Sequence, residues 1–316
     1  MSTSDWVSKY ETVTQPTAVV ILAVGMAASA ARCVKALAED VSRVPVCVCT
    51  GYTLPAWVGP TTLVVAFSAS GLSQEVIYSV SDATERGCAV WIISGLGGHL
   101  ADIAEAQTLP WLNITCDERQ PYQEFCASFW SLYGSLAKIL NLAGLRSSEG
   151  ETAVSAMMAQ STYFDDPSRY GMTPPFLLAE AIHRTRLSIY CTPGIAFAGG
   201  TVLQSMSRNT SNTHCSLSQI PDLEYDDLYL WRRYDQQWDW SASDRDKESL
   251  LILKDCSDSS LITDRVQAVR QRVEIDAPLV DIHELTSSGA SSLERLVAMV
   301  QFGAWFLGHL AERPTR

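Results

Sequence analysis

Thr61-Thr62-Leu63-Val64-Val65-Ala66-Phe67-Ser68-Ala69-Ser70-Gly71-Leu72-Ser73-Gln74-Glu75 decides how the rest of the chain is read. An apolar run ends abruptly in serines around one glycine and then passes into a helical pattern. The pattern predicts a strand over Leu63 to Phe67, a tight turn at Gly71 and a helix over Leu72 to Arg86. Such a strand delivers Ser68, Ser70 and Ser73 to its carboxyl end. Gly71 lets the backbone approach a ligand closely, and the helix start aims unpaired N–H groups and the positive end of its dipole at the same spot. This is a cradle for an anion, and a phosphate monoester fits it without a lysine. The alternative reading is an ordinary strand-to-helix turn in which Ser70 or Ser73 caps the helix.

Outward from this stretch, short β-branched runs alternate with amphipathic segments. Strands are predicted at Ala18 to Val24, Val44 to Cys49, Leu63 to Phe67, Ala89 to Ser94 and Trp111 to Ile114. Helices are predicted at Ala27 to Glu39, Leu72 to Arg86, Leu100 to Gln107 and Tyr122 to Leu142. Continuous apolar strands alternating with helices imply a parallel sheet covered on both faces, with ligands outside the carboxyl ends of the strands. The pattern breaks at Gly144 to Gly150, where Arg-Ser-Ser-Glu carries no apolar face. It then repeats. Helices at Thr152 to Thr162 and Pro174 to Arg184 lead to a strand at Leu187 to Cys191, and Pro193, Gly194, Gly199 and Gly200 precede a helix beginning near Thr201. Strands at Leu250 to Lys254 and Leu279 to His283 alternate with helices at Ser260 to Arg272 and Ser291 to Leu310. The expected architecture is α/β, with two similar modules in tandem over residues 1–147 and 148–316. Asp222 to Asp246 is rich in Asp, Tyr and Trp and has little period, which fits either an interface or a long wrapped loop.

With 47% hydrophobic and 18% charged residues over 316 positions, the chain can bury a substantial core. A net charge of −12 and the lack of any Lys/Arg cluster argue against DNA, RNA and anionic membrane as partners. The start, Met-Ser-Thr-Ser-Asp-Trp, has no basic leader, and Ala18 to Val24 is far shorter than the ~20 residues that span a bilayer. A soluble, cytoplasmic protein is expected. Nine cysteines without a repeated spacing fit a reducing compartment better than a disulfide framework. Cys47 and Cys49 share one face of a strand and read as small buried apolar residues. No metal is expected, because none of His99, His183, His214, His283 and His309 falls in an H-E-x-x-H or His-x-Cys spacing. No G-x-G-x-x-G, G-x-x-x-x-G-K-[ST] or G-x-S-x-G motif occurs, so dinucleotide binding, nucleoside triphosphate use and α/β-hydrolase chemistry have no support.

Four further stretches stand out: Gly25-Met26-Ala27-Ala28-Ser29 after the first strand; Tyr52-Thr53-Leu54-Pro55-Ala56-Trp57-Val58-Gly59; Arg86-Gly87; and Ser94 with Gly97-Gly98-His99-Leu100. Together with Ser68 to Glu75 they make the chain, nearly end to end, similar to the tandem sugar isomerase (SIS) family, and within it to the bifunctional phosphoglucose/phosphomannose isomerases. The family's first loop reads roughly G-M-G-G-S, and both middle glycines are alanine here. The other stretches resemble its Y-x-L-P-x-W-V-G, S-x-S-G-N-T-E-E, R-G-A and S-G-G-x-L elements. Read by themselves, Ala27 and Ala28 also suit tight packing of a helix on a strand.

The resemblance implies SIS-type modules and aldose-ketose isomerisation of a hexose 6-phosphate, glucose or mannose 6-phosphate to fructose 6-phosphate, without a cofactor. It further implies that Ser68, Ser70, Gly71 and Ser73, with Gly25 and Ser29, surround the phosphate, and that two subunits pair as a homodimer. A carboxylate moving a proton between C1 and C2 and an acid opening the ring complete the chemistry. The chain departs from the family at these groups. The family's N-E-N-x-K and P-E-L-x-H-N-E segments correspond to Arg208 to His214 and Pro221 to Asp227, so its glutamate falls near Asn209 and its histidine on Tyr225. An amide has no proton to take up, and a phenol titrates near ~10. Tyr122 follows Gln120-Pro121 where relatives carry arginine, and the chain stops at Arg316 where relatives continue to a functional lysine. The nearby substitutes are His214 as ring-opening acid and Asp222, Glu224, Asp226 or Asp227 as base. Two readings follow: an isomerase with repositioned groups, with His214, Glu224 and Asp222 as its catalytic residues, or a non-catalytic phosphosugar-binding sensor or partner protein.

Overall fold

Thr-Leu-Val-Val-Ala-Phe-Ser presents apolar side chains to both faces of a strand, and the fold buries all of it: β3 spans Thr62–Ser68 with every residue inside. The computed structural model describes residues 16–39, 41–95, 97–114, 129–137, 163–164, 166, 168, 171–182, 185–209, 215–220, 247–278 and 280–311. The chain divides into two compact units, Met1–Ser148 and Glu149–Arg316. The first contains β1 (Ala18–Leu22), α1 (Gly25–Glu39), β2 (Val46–Cys49), β3, α2 (Gln74–Glu85), β4 (Ala89–Ser94), α3 (His99–Ala106) and β5 (Trp111–Asn113). The second contains α4 (Pro174–Ile182), β6 (Thr185–Cys191), α5 (Ile195–Asn209), β7 (Cys215–Gln219), β8 (Lys247–Lys254), α6 (Ser260–Asp276), β9 (Val280–Thr286) and α7 (Ser292–Ala311).

Both sheets are parallel throughout, in the orders β2-β1-β3-β4-β5 and β7-β6-β8-β9. The order reverses between β1 and β3 in the first and between β6 and β8 in the second. That is where a parallel α/β sheet opens a crevice at its carboxyl edge. In the first unit Val20, Leu22, Val64, Ala66, Val90 and Ile92 form one face, packed by Val76, Val80 and Ala83 of α2 and by Leu100 and Ala104 of α3. In the second, Tyr190, Leu250 and Ile252 pack against Val266, Val269 and Val273, a three-four spacing that makes one stripe of α6. The expected α/β class with parallel, helix-flanked sheets is what the chain adopts.

The connection from β2 to β3 has no helix. Parallel crossovers usually rely on one; here Leu54 and Val58 of the Tyr52 to Gly59 stretch supply the missing apolar face and join the core cluster beneath α2. Polar straps hold the loop down. Ser79 Oγ donates to the Gly51 carbonyl at 3.2 Å, and the Asp82 Oδ2 carboxylate accepts from Leu54 N–H at 3.4 Å. Arg86 grips Asp82 through Nε and Nη2 at 2.7 and 2.8 Å while Nη1 donates to the Pro55 carbonyl at 2.9 Å. Cys47 and Cys49 lie half-buried against the same core, as their apolar reading expects, and burial pushes the Cys49 thiol up.

Three expectations need correction. The helix after β6 begins at Ile195, not near Thr201, so Gly199 and Gly200 lie inside it. They are there for close approach: a Cβ on Gly199 would sit 2.5 Å from Met299 Sδ of α7, and one on Gly200 would sit 2.5 Å from Cys191 Sγ of β6. Cys215–Gln219, read as no element, is an edge strand paired with β6. Helix α2 begins at Gln74, because Gly71 takes φ +67° and Ser73 is extended. Residues 129–137 are helical within the longer helix expected from Tyr122 to Leu142. The break at Gly144 to Gly150, the helix at Thr152 to Thr162 and the Asp222 to Asp246 stretch lie outside the described residues. Removing the Leu54 anchor tests the substituted crossover: Leu54→Ala should cost about 2–5 kcal/mol, read by chemical denaturation.

Candidate functional site

The loop from Ser68 to Ser73 sits at the carboxyl edge of the first sheet, beside the end of β1, since Leu22 of β1 pairs with Ala66 of β3. Its conformation is fixed from below and from the side. Ser68 lies opposite Ser94 of β4, and the Ser94 hydroxyl accepts from Trp111 Nε1 at 3.0 Å. The loop after β4 then runs against the serine loop with no side chain between them. A Cβ on Gly98 would stand 2.5 Å from the Ser70 carbonyl oxygen and 2.7 Å from Gly71 Cα, and one on Gly95 would stand 2.6 Å from the Ala69 oxygen. Gly95 N–H donates to the Ala69 carbonyl at 3.0 Å and Leu100 N–H to the Gly71 carbonyl at 3.1 Å. The acceptors of the serine loop are thereby turned into its neighbour.

Donors remain. Ser68 Oγ and Ser73 Oγ lie 3.0 Å apart, linking the last residue of the strand to the residue before α2. One proton closes that pair and the other is left to give. Ser70 Oγ accepts from Leu72 N–H at 3.3 Å, so its own proton also points elsewhere. Ser73 occupies the N-cap position of α2 yet makes no side-chain capping bond. The ordinary capping turn is therefore not what the loop builds: the Ser73 side chain leaves the start of α2 uncapped at the edge where the hydroxyls gather, an arrangement that attracts a negative group.

Gly25 begins α1 with φ +58°, a left-handed conformation that favours glycine, and is exposed at the same edge. Ser29 lies one turn deeper in α1 and is 2% exposed, so it supports this corner from inside. His214, Asp222 and Glu224 lie outside the described residues. Among the described residues no group of three or more His, Cys, Asp or Glu is placed to hold a metal ion, and no helix is long and apolar enough to cross a membrane. One feature escaped the sequence reading. Tyr52 Oη donates to Glu75 Oε1 at 3.3 Å, and the Glu75 charge holds the Tyr52 phenol above its usual range. The only signal for it was the pair of motifs carrying the two residues.

The matching edge of the second sheet has the same build and opposite chemistry. Five residues, Asp255 to Ser259, join β8 to α6, as five residues, Ala69 to Ser73, join β3 to α2. Asp255 is 7% exposed, accepts from Ser287 Oγ at 2.9 Å and Ser257 N–H at 3.2 Å, and pairs with the Arg295 guanidinium at 2.8 Å. Ser259 caps α6 by accepting from Ile262 N–H at 3.4 Å. Burial pushes the neighbouring Asp258 carboxyl up. This edge holds a carboxylate of its own, with its helix start already capped.

No protein-family model matches the chain. Over 87 residues it is 36% identical to a bifunctional phosphoglucose/phosphomannose isomerase of Caldicellulosiruptor bescii, a match covering 28% of this chain and 25% of that protein. The matched region is thus about a quarter of the relative's length. Solved structures align over 98% of the chain: a phosphosugar isomerase, so described, from Silicibacter pomeroyi (TM-score 0.64, 13% identity, 91% of that chain) and the tagatose-6-phosphate ketose/aldose isomerase of Escherichia coli (0.62, 11%, 85%). The C-terminal domain of glucosamine-fructose-6-phosphate aminotransferase from Francisella tularensis aligns at 0.59 with 14% identity over 88% of its length. With strand order, serine loop and these likenesses together, the chain has the α/β fold of the phosphosugar isomerases and resembles the SIS family in sequence.

Proposed function

We propose that this protein is a phosphosugar isomerase-like protein that binds a hexose 6-phosphate at the Ser68 to Ser73 loop. The observation that carries the proposal is the set of hydroxyls gathered where the strand order reverses, beside a helix start that its N-cap side chain leaves uncapped, with the Ala69 and Gly71 carbonyls bonded to the neighbouring loop. Magnitudes favour binding. Hydrogen bonds to a charged group contribute about 1.5–3 kcal/mol each, and a helix terminus about 0.3–1. Two free hydroxyl protons and one N-terminus therefore supply about 3–7 kcal/mol, which reaches millimolar affinity and approaches the micromolar end of the range of about 4–8 kcal/mol. Gly25 and Ser29 complete the corner.

Turnover asks for more. General acid and base groups supply roughly 10² to 10⁴ in rate each, and the positions that would hold them carry Asn209 and Tyr225. Interconversion of glucose or mannose 6-phosphate with fructose 6-phosphate therefore rests on His214 as ring-opening acid and Glu224 or Asp222 as base, with no cofactor. If those groups do not act, the protein is a phosphosugar sensor or partner protein. A cytoplasmic homodimer is the assembly we propose, and sedimentation at monomer mass would remove the dimer.

Incubating the protein with each hexose 6-phosphate, while measuring binding by calorimetry and interconversion by product, separates these readings. Saturable binding is expected. Turnover abolished by His214→Ala or Glu224→Gln supports isomerisation, interconversion at blank level beside saturable binding supports the sensor, and no binding sinks both. The cradle itself is tested by Gly98→Ala, whose new Cβ must displace the Ser70 carbonyl. Losing even one aligned donor should weaken phosphate-ester binding about 10-fold to 100-fold.

A further inference from the structure

Tyr52, Glu75 and Tyr78 lie outside the proposed cradle, on the loop after β2 and at the start of α2, which follows directly on Ser73. Tyr52 is 55% and Tyr78 60% exposed, an open pair of rings with centroids 6.0 Å apart and planes at 54°. Exposed aromatics on a mobile loop would mean little. This loop is held by buried Leu54 and Val58 and by the two-pronged grip of Arg86 on Asp82 and on the Pro55 carbonyl. Glu75 stands in the first turn of α2, two residues beyond Ser73, and is half-buried. Helical side chains lean toward the N-terminus of their helix, so its carboxylate reaches back toward the edge where the serine hydroxyls lie. Tyr52 reaches that carboxylate from the loop that leaves the carboxyl end of β2, on the same edge of the sheet.

A carboxylate beside an anion site discriminates by its sign. It opposes a bare dianion, and it favours an ester whose carbon skeleton brings hydroxyl donors close to it. Two open rings next to the carboxylate offer a flat apolar face to the C–H side of such a skeleton. Attraction to one ligand and repulsion of its competitor together make specificity. We propose that Tyr52, Glu75 and Tyr78 form a rim that reads the organic part of the ligand, selecting a polyhydroxylated phosphate monoester over inorganic phosphate. The inference rests on the phosphate reading of the serine loop and goes beyond it by assigning selectivity to residues outside that loop.

Calorimetric titration of the wild type, Glu75→Gln and Tyr52→Phe with fructose 6-phosphate and with inorganic phosphate tests it. Glu75→Gln should weaken fructose 6-phosphate by about 10-fold or more, the scale of a hydrogen bond to a charged group, while inorganic phosphate binds unchanged or tighter. Tyr52→Phe keeps the ring and frees Glu75 from its partner, so it should change the ratio of the two affinities by about 2-fold to 10-fold, the scale of a neutral hydrogen bond. Equal shifts for both ligands in Glu75→Gln, or no shift for either, overturn the rim while leaving the cradle standing. A wild type that binds neither ligand overturns the cradle and the rim with it.

Discussion

Two loops leave the carboxyl edge of the first sheet side by side, and their backbones touch with nothing between them. Because β3 and β4 end in register at Ser68 and Ser94, the segments that follow start level and run together. Gly95 and Gly98 permit the contact, which any Cβ would close off against Ala69, Ser70 or Gly71. An anion site requires more than donors; the acceptors that any loop also carries must be directed elsewhere. Here the carbonyls of Ala69 and Gly71 are bonded to the N–H groups of Gly95 and Leu100, so these two acceptors are withdrawn from the open side of the loop, where the serine hydroxyls gather. The chemistry of the serines follows from the glycines of the next loop.

The second unit shows what the same topology becomes without that arrangement. Its strands follow the same reversal, and its connection after the third strand in chain order has the same length. Yet Asp255 supplies an anion from within, held by Ser287, Ser257 and Arg295, and Ser259 caps the helix that follows. Breaking a buried ion pair by removing one partner costs about 3–5 kcal/mol. The carboxylate is therefore a fixed part of this edge, and it repels a further anion there. One architecture, used twice, presents open donors at one crevice and an internal ion pair at the other.

How much of this could be read in advance depended on the kind of signal. The central strands were legible because burial on both faces demands unbroken apolar runs, and Leu63 to Phe67 and Ala89 to Ser94 hardly move between expectation and structure. The edge strand β7 was not legible, because Cys-Ser-Leu-Ser-Gln has one large apolar residue and makes its ladder on one side only. Gly199 and Gly200 misled, since a glycine pair reads as a turn when its real cause is a neighbouring helix or strand pressed against it. The serine loop was legible as a place but not in its wiring: Ser73 stands at the N-cap, as the turn reading has it, and its hydroxyl pairs with that of Ser68 instead. The loop that replaces the β2–β3 crossover helix was legible as the Tyr52 to Gly59 motif but not in its fastening, since its straps from Asp82 and Arg86 come from another element.

Charge sets the final constraint on what this site can do. The chain carries −12, and the loop from Ser68 to Glu75 contains no Lys, Arg or His. Long-range attraction therefore does not hold a dianion here, and beyond about 8 Å salt screens exposed charges in any case. Affinity falls to neutral donors acting at hydrogen-bond range, which weaken quickly when misaligned. A lysine would hold almost any anion that arrived; aligned hydroxyls and amides hold one that fits. Arg86, the nearest basic residue along the chain, is committed to Asp82 and to the Pro55 carbonyl, where it stiffens the loop bearing Tyr52. The one strong cation of this stretch thus stiffens the loop beside the serines rather than facing them, so an anion bound there would be held by geometry.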